Sequence, residues 1–223
     1  MIAIRHPRTW PLWDVLFPPL CAVCSRPLVD SLLYCPQCWA DAPLVEGNEM
    51  PKLGHVDLAR AGYRFGGDDV VKAAVHSLKY DRLRLIARGM ATHLVACLPL
   101  RFVESEIVWT PVPLHWSRRM NRGFNQSVLI AEELAPMVRH AKPLQLLKRV
   151  RNTPTQTALT LRERAANMKD AFRVVPQPPL PKSVLLIDDV ITTGATVNEC
   201  AHTLKAAGVE WVGALSFALS THR

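Results

Sequence analysis

The sequence predicts an α/β protein with a mostly parallel sheet flanked by helices, preceded by a small cysteine-bearing segment. Three observations predict it. From residue 61 onward, short aliphatic runs alternate with stretches of helical periodicity, as strands joined by crossover helices do. Val184 to Ile187 is an unbroken aliphatic run, which suits a strand buried on both faces. Near the N terminus, four cysteines form two Cys-x2-Cys pairs, Cys21/Cys24 and Cys35/Cys38. The expected organisation is residues 1–60 as an N-terminal helix, cysteine segment and linker, and residues 61–223 as the larger domain.

Within the first part, Trp10, Leu12, Trp13, Val15, Leu16 and Phe17 suit a short amphipathic helix. A cysteine pair two residues apart can clasp a metal from one tight turn, and two such pairs complete a tetrahedron. Four thiolates suit structural zinc, or less often an iron–sulfur cluster. Protein fills all four positions, so such a centre holds together a segment too small to bury enough surface by itself. Residues 42–60, with Pro43, Gly47, Pro51 and Gly54, read as a linker or loose ribbon.

In the larger domain, Ala61 to Phe65 reads as a strand. A helix carrying Val71, Ala74, Val75 and Leu78 follows, with Asp68 as its expected N-cap. A second helix carries Leu83, Ile86, Met90 and Leu94, with Cys97 on the same apolar stripe. Ile107 to Pro113 is a second buried-strand pattern. It opens into a loop with Arg118, Arg119, Arg122, Asn125 and Gln126, and a helix with Ile130, Ala131, Leu134 and Ala135 on its apolar side comes next. Leu144 to Lys148 is a candidate third strand, followed by a long polar segment, then Phe172 to Val175 and finally Trp211 to Ala218.

The most informative stretch is Val184 to Val197. The aliphatic run ends in Asp188 and Asp189, and the polar turn Thr192-Thr193-Gly194 leads into a helix that bears Cys200 and stops near Gly208. Amides at a helix start lack partners within the helix, and the dipole there favours an anion. Gly194 allows close backbone approach, while Thr192, Thr193 and Thr196 add donors. Paired acids can each accept a hydrogen bond from one hydroxyl of a ribose diol. A ribose 5-phosphate fits this order of groups. The alternative is a buried strand running into a capped helix, with the acids capping or binding a metal.

At these residues the chain resembles the phosphoribosyl pyrophosphate (PRPP) signature of type I phosphoribosyltransferases, Asp188-Asp189-Val-Ile-Thr-Thr-Gly-Ala-Thr. The resemblance narrows to the ComF family (ComFC and GntX-like proteins) through the cysteine pairs, Leu-Lys-Tyr at 78–80 and Arg-Gly-Phe-Asn-Gln at 122–126. It implies a type I phosphoribosyltransferase-like sheet with an N-terminal zinc-ribbon-like segment on Cys21, Cys24, Cys35 and Cys38. It further implies that Asp188 and Asp189 hold the ribose and that Thr192, Thr193, Gly194, Ala195 and Thr196 hold the 5-phosphate. Arg118, Arg119, Arg122, Asn125 and Gln126 become a pyrophosphate loop, with Lys79 as a further contact to the leaving group. Arg151, Gln156, Arg164 and Asn167 match a mobile catalytic loop. Magnesium would accompany PRPP. The implied activity is transfer of phosphoribose to an unknown nitrogen acceptor in DNA uptake or utilisation.

Composition bounds these readings. Hydrophobic residues make up 49% and charged residues 21% of the 223 residues, which is globular rather than disordered. No stretch has the length and apolarity of a membrane span, and the first residues lack a cleavage-site pattern, so a cytoplasmic protein is expected. The net charge of +8 is local: residues 118–173 hold 12 Lys+Arg against 4 Asp+Glu. A basic region attracts polyanions, either pyrophosphate or nucleic acid. With Trp116 available to stack on a base, this supports an alternative: a non-catalytic accessory protein that grips single-stranded DNA or docks on a DNA-uptake helicase.

Overall fold

The computed structural model describes residues 19–28, 34–46, 49–67, 69–78, 83–114, 124–140, 142–151, 168–176 and 179–220. The chain forms two compact units, Met1–Asp41 and Ala42–Arg223.

In the smaller unit, Cys21 to Ser25 makes a tight turn, closed by Cys21 N–H to Arg26 O at 2.8 Å and Ser25 N–H to Cys21 O at 2.9 Å. Ser25 takes the positive φ, 58°, that so sharp a reversal needs. Helix α1, Pro36–Ala40, begins with proline at a position where no amide is required, and Cys35 caps it through its sulfur. Trp39 is buried edge-on against Tyr34, with ring centroids 6.0 Å apart.

The larger unit is built on a four-stranded, wholly parallel sheet in the order β1-β6-β5-β2. The strands are β1 (Leu58–Phe65), β2 (Ile107–Pro111), β5 (Ser183–Ile191) and β6 (Trp211–Ser220). A separate antiparallel pair joins β3 (Leu147–Arg149) to β4 (Phe172–Val174). The helices are α2 (Val70–Ser77), α3 (Leu83–Val95), α4 (Gln126–Met137) and α5 (Ala195–Ala206), with a 3₁₀ turn at Leu100–Val103.

Central β5 is apolar in every residue from Val184 to Ile187 because both of its faces are covered. Val184 and Leu186 pack with Val197, Cys200, Ala201 and Leu204 of α5. Leu185 and Ile187 point to the opposite face, where α4 contributes fully buried Ile130 and Leu134. Cys200 is therefore core, as its helical position predicts. Cys97 lies just beyond α3 and is half-buried.

Neither outer edge of the sheet is bare, which removes a template for aggregation. Residues 43–45 run antiparallel along β1, with Val45 N–H to Gly62 O at 3.0 Å and Arg64 N–H to Pro43 O at 2.7 Å. On β2, Leu144 N–H donates to Trp109 O at 2.9 Å, and Leu146 N–H donates to Thr110 Oγ1 at 3.1 Å.

Several boundaries differ from the sequence expectation. Residues 42–60 are not a loose linker: Met50, Leu53 and Val56 pack on the core, and Asp57 Oδ2 accepts from Val212 N–H at 2.7 Å. Prolines and glycines mask such a segment because their local signal says turn, whatever the segment lies on. Asp69, rather than Asp68, caps α2, its carboxylate accepting from Val71 and Lys72 amides at 2.9 and 3.0 Å. Asp68 lies outside the described residues. Strand β5 continues through Asp188 and Asp189 to Ile191, because partner β6 is long enough to keep pairing as far as Leu219.

Candidate functional site

The four cysteines converge. Their sulfurs all lie within 4.8 Å of one another, with Cys21 to Cys38 at 3.8 Å and Cys24 to Cys35 at 3.5 Å. A tetrahedral zinc with Zn–S bonds of about 2.3 Å sets its sulfurs ~3.8 Å apart, so the cage has the size of the ion. Backbone amides are aimed at the sulfurs as well: Cys35 N–H to Cys21 Sγ at 3.3 Å and Cys38 N–H to Cys35 Sγ at 3.4 Å. Burial pushes the Cys21 thiol up, but the amides of Cys24, Cys35 and Val23 outweigh it and bring the thiol down to about 6. The Cys38 amide lowers Cys35. Burial and the neighbouring sulfurs raise Cys38 well above its ordinary value. Four anionic sulfurs this close repel, and a divalent cation removes that conflict. The donor set fits structural zinc, with no position left open for catalysis.

The second site is the carboxyl end of β5. Asp188 and Asp189 stand where β5 leaves the core, and the chain then turns through Thr192 and Thr193 into Gly194, the N-cap of α5 at φ 76°. This positive φ is where glycine is needed. Gly194 is also covered: a Cβ placed there would lie 2.3 Å from Leu53 Cδ2. Ala195 N–H reaches Thr193 Oγ1 at 3.3 Å. The first-turn amides of α5 have no helical carbonyl to pair with. A small polar recess of about 20 Å³ lies among Asp188, Thr192, Thr193, Gly194 and Thr196.

The two acids are not equivalent. Asp188 is half-buried. Its Oδ1 accepts from Ser127 Oγ at 2.9 Å and from the Asp189 amide at 3.0 Å. Burial pushes Asp188 well above the usual carboxylate range, and the adjacent Asp189 charge adds to that, while the Ser127 hydrogen bond works against it. Asp189 Oδ1 accepts from Val190 N–H at 2.8 Å. Ser127, from α4, was not foreseen. It lies 61 residues away in the chain, and nothing local in the sequence marks it.

The remaining predicted residues divide into two groups. Asn125 is the N-cap of α4: its Oδ1 accepts from Ser127 N–H at 3.0 Å, and its Nδ2 donates to Val112 O at 2.9 Å. Gln126 is buried, and its Nε2 makes no hydrogen bond among the described residues. Arg151 is exposed and donates to Lys169 O at 2.5 Å. Lys79, Tyr80, Trp116, Arg118, Arg119, Arg122, Gln156, Arg164 and Asn167 lie outside the described residues. A larger cavity, about 570 Å³, opens between the first turn of α4 and β3, with Asn125 among its lining residues.

Comparison with known proteins starts at the N terminus, where residues 12–59 match a family profile described as a double zinc ribbon domain. Competence protein F of Haemophilus influenzae is 31% identical over 198 residues, covering 86% of this chain and 81% of that protein. The chain belongs to the ComF family. DNA utilization protein YhgH of Salmonella typhi is 34% identical over 208 residues, covering 86% of this chain and 87% of the relative. Competence protein ComFC of Streptococcus pneumoniae is 28% identical over 154 residues, or 69% of this chain and 59% of ComFC. The ComF family membership accords with the parallel sheet and with the four-cysteine cage in one chain. Among the described residues, no helix is long and apolar enough to cross a membrane.

Proposed function

We propose that this ComF-family chain binds PRPP at the β5–α5 turn, transfers its phosphoribosyl group to a nitrogen acceptor, and serves the uptake or use of DNA. One juxtaposition carries this reading. Asp188 and Asp189 lie side by side at the end of a buried strand, and a left-handed Gly194 opens the amide-rich start of α5 within five residues. In this reading the 5-phosphate sits at the mouth of the Thr192–Thr196 recess, where amides and hydroxyls supply donors. Asp189 accepts from one ribose hydroxyl, and Asp188, fixed by Ser127, presents its second oxygen to the other. Magnesium, arriving with the pyrophosphate, would ease the repulsion between the two acids and would supply charge neutralisation at the leaving group. The role in DNA uptake or utilisation rests on the names of the relatives, competence protein and DNA utilization protein.

Isothermal titration with PRPP and magnesium tests the binding step. The expected result is saturable binding that is lost in Asp188→Ala/Asp189→Ala; unchanged affinity in that variant would remove the assignment.

The basic stretch at residues 118–173, with 12 Lys+Arg against 4 Asp+Glu, favours a second reading, a protein that contacts single-stranded DNA without turnover. A salt-dependent gel shift with single strands tests it, and no shift at low salt rules it out.

A further inference from the structure

We propose that His55 and His202 form an open two-imidazole site for a divalent first-row transition ion, which clasps residues 51–57 to α5. The site shares no residue with the four-cysteine cage or with the β5–α5 turn, and it does not depend on the phosphoribosyl reading.

The pair is set in place by contacts on either side of it. Residues 51–57 run along α5 and touch it at helical intervals. Pro51 and Leu53 lie against Gly194. The His55 amide donates to Asn198 Oδ1 at 3.0 Å. The His55 ring meets the His202 ring, with centroids 4.7 Å apart and planes at 45°. Asp57 Oδ1 accepts from Lys205 Nζ at 2.8 Å, and its Oδ2 accepts from the Val212 amide at 2.7 Å. Positions 194, 198, 202 and 205 make one stripe of the helix. Because the neighbouring contacts already fix both backbones, an ion that binds both rings orders little further chain.

The spacing of the rings fits one ion. A metal in the plane of both rings, ~2.1 Å from a nitrogen of each, lies ~3.2 Å from each centroid. Centroids 4.7 Å apart then subtend ~95° at the metal, between the right angle of square or octahedral sites and the tetrahedral angle. His202 is exposed and His55 half-buried, so water and ions reach the pair. The torsion that turns an imidazole is soft, which lets each ring present a nitrogen.

The ligand type selects the ion. Imidazole suits zinc, copper and nickel, whereas magnesium and calcium take oxygen. The charges nearby do not oppose a cation. Lys205 is matched by Asp57, and Glu199, one turn before His202, adds a negative charge while its Oε1 accepts from the Asp170 amide at 2.8 Å. Two protein ligands leave the other positions to water, so this ion exchanges, unlike one held by four thiolates. A metal that joins residues so distant in the chain closes a long loop and stabilises the fold.

The test titrates zinc chloride into the full-length protein that already carries one zinc per chain, followed by calorimetry. One additional zinc per chain should bind. His55→Ala and His202→Ala should each weaken it at least ~tenfold, since even indirect supports of a metal are worth that much. His76→Ala, which removes an exposed histidine on α2, should leave it unchanged. The additional zinc should raise the melting temperature of the unaltered protein and not that of His202→Ala. His202 is an exposed helical position that tolerates alanine, so this variant carries the test should His55→Ala loosen the chain. No additional zinc, or an additional zinc that persists unweakened in His202→Ala, overturns the proposal.

Discussion

Gly194 should tolerate no side chain, and the cost can be worked from its surroundings. A Cβ there would lie 2.3 Å from Leu53 Cδ2 and 3.4 Å from Pro51 Cγ. Carbon atoms rest about 3.5–4.0 Å apart, so Leu53 must retreat by more than ~1 Å. Overpacking of this kind costs about 1–3 kcal/mol. The left-handed backbone, φ 76°, costs alanine about a further 1–2 kcal/mol. Leu53 is half-buried with a flexible end, which places the sum near the low side, about 2–3 kcal/mol. For a chain of this length, that is a melting-point drop of about 4–12 °C. Urea unfolding followed by circular dichroism would read it. The double variant Gly194→Ala/Leu53→Ala separates the two costs, because truncating Leu53 relieves the clash and leaves the backbone strain. A coupling of about 1–2 kcal/mol between the sites is expected. Strict additivity would refute the claim that residues 50–56 bear on the β5–α5 turn, and so would a Gly194→Ala penalty below ~0.5 kcal/mol.

Three further outcomes follow from the two sites. Asp188→Asn should raise stability by about 0.5–2 kcal/mol near pH 7 while weakening PRPP binding, the usual trade at a strained functional group. Because the folded-state affinity of Asp188 for its proton is raised, the native protein loses stability as pH climbs from the ordinary carboxylate range through the higher folded value. The Asn variant's advantage should therefore shrink to nothing near pH 4, and a gain that persists there would contradict the assignment. Ser127→Ala removes the hydroxyl that lowers Asp188, so the carboxyl should titrate still higher and PRPP affinity should fall most steeply toward acid pH. A uniform loss at all pH values would mean that Ser127 only packs. Chelation of zinc, or Cys21→Ser, should release one zinc per chain and unfold Met1–Asp41, while hydrogen exchange in β5 and β6 stays protected, since the two units are separately compact.

The sequence alone determined the parts whose physics is local. An unbroken aliphatic run between turn residues suits a doubly covered strand, a Gly between threonines and a helical stripe suits a tight entry to a helix, and two Cys-x2-Cys pairs close in sequence suit a metal clasp. These features announced β5, α5, the paired acids and the four-sulfur cage. Tertiary structure decided what depends on partners far along the chain. Asp188 and Asp189 read as twins, yet Ser127 and burial set them apart. Leu53 looked like linker but lies against Gly194. Lys148, read only as the end of a candidate strand, lines a cavity with the first turn of α4. The first two are fixed by contacts between residues 61 and 141 positions apart, and neither hydropathy period nor motif spacing carries information over that range.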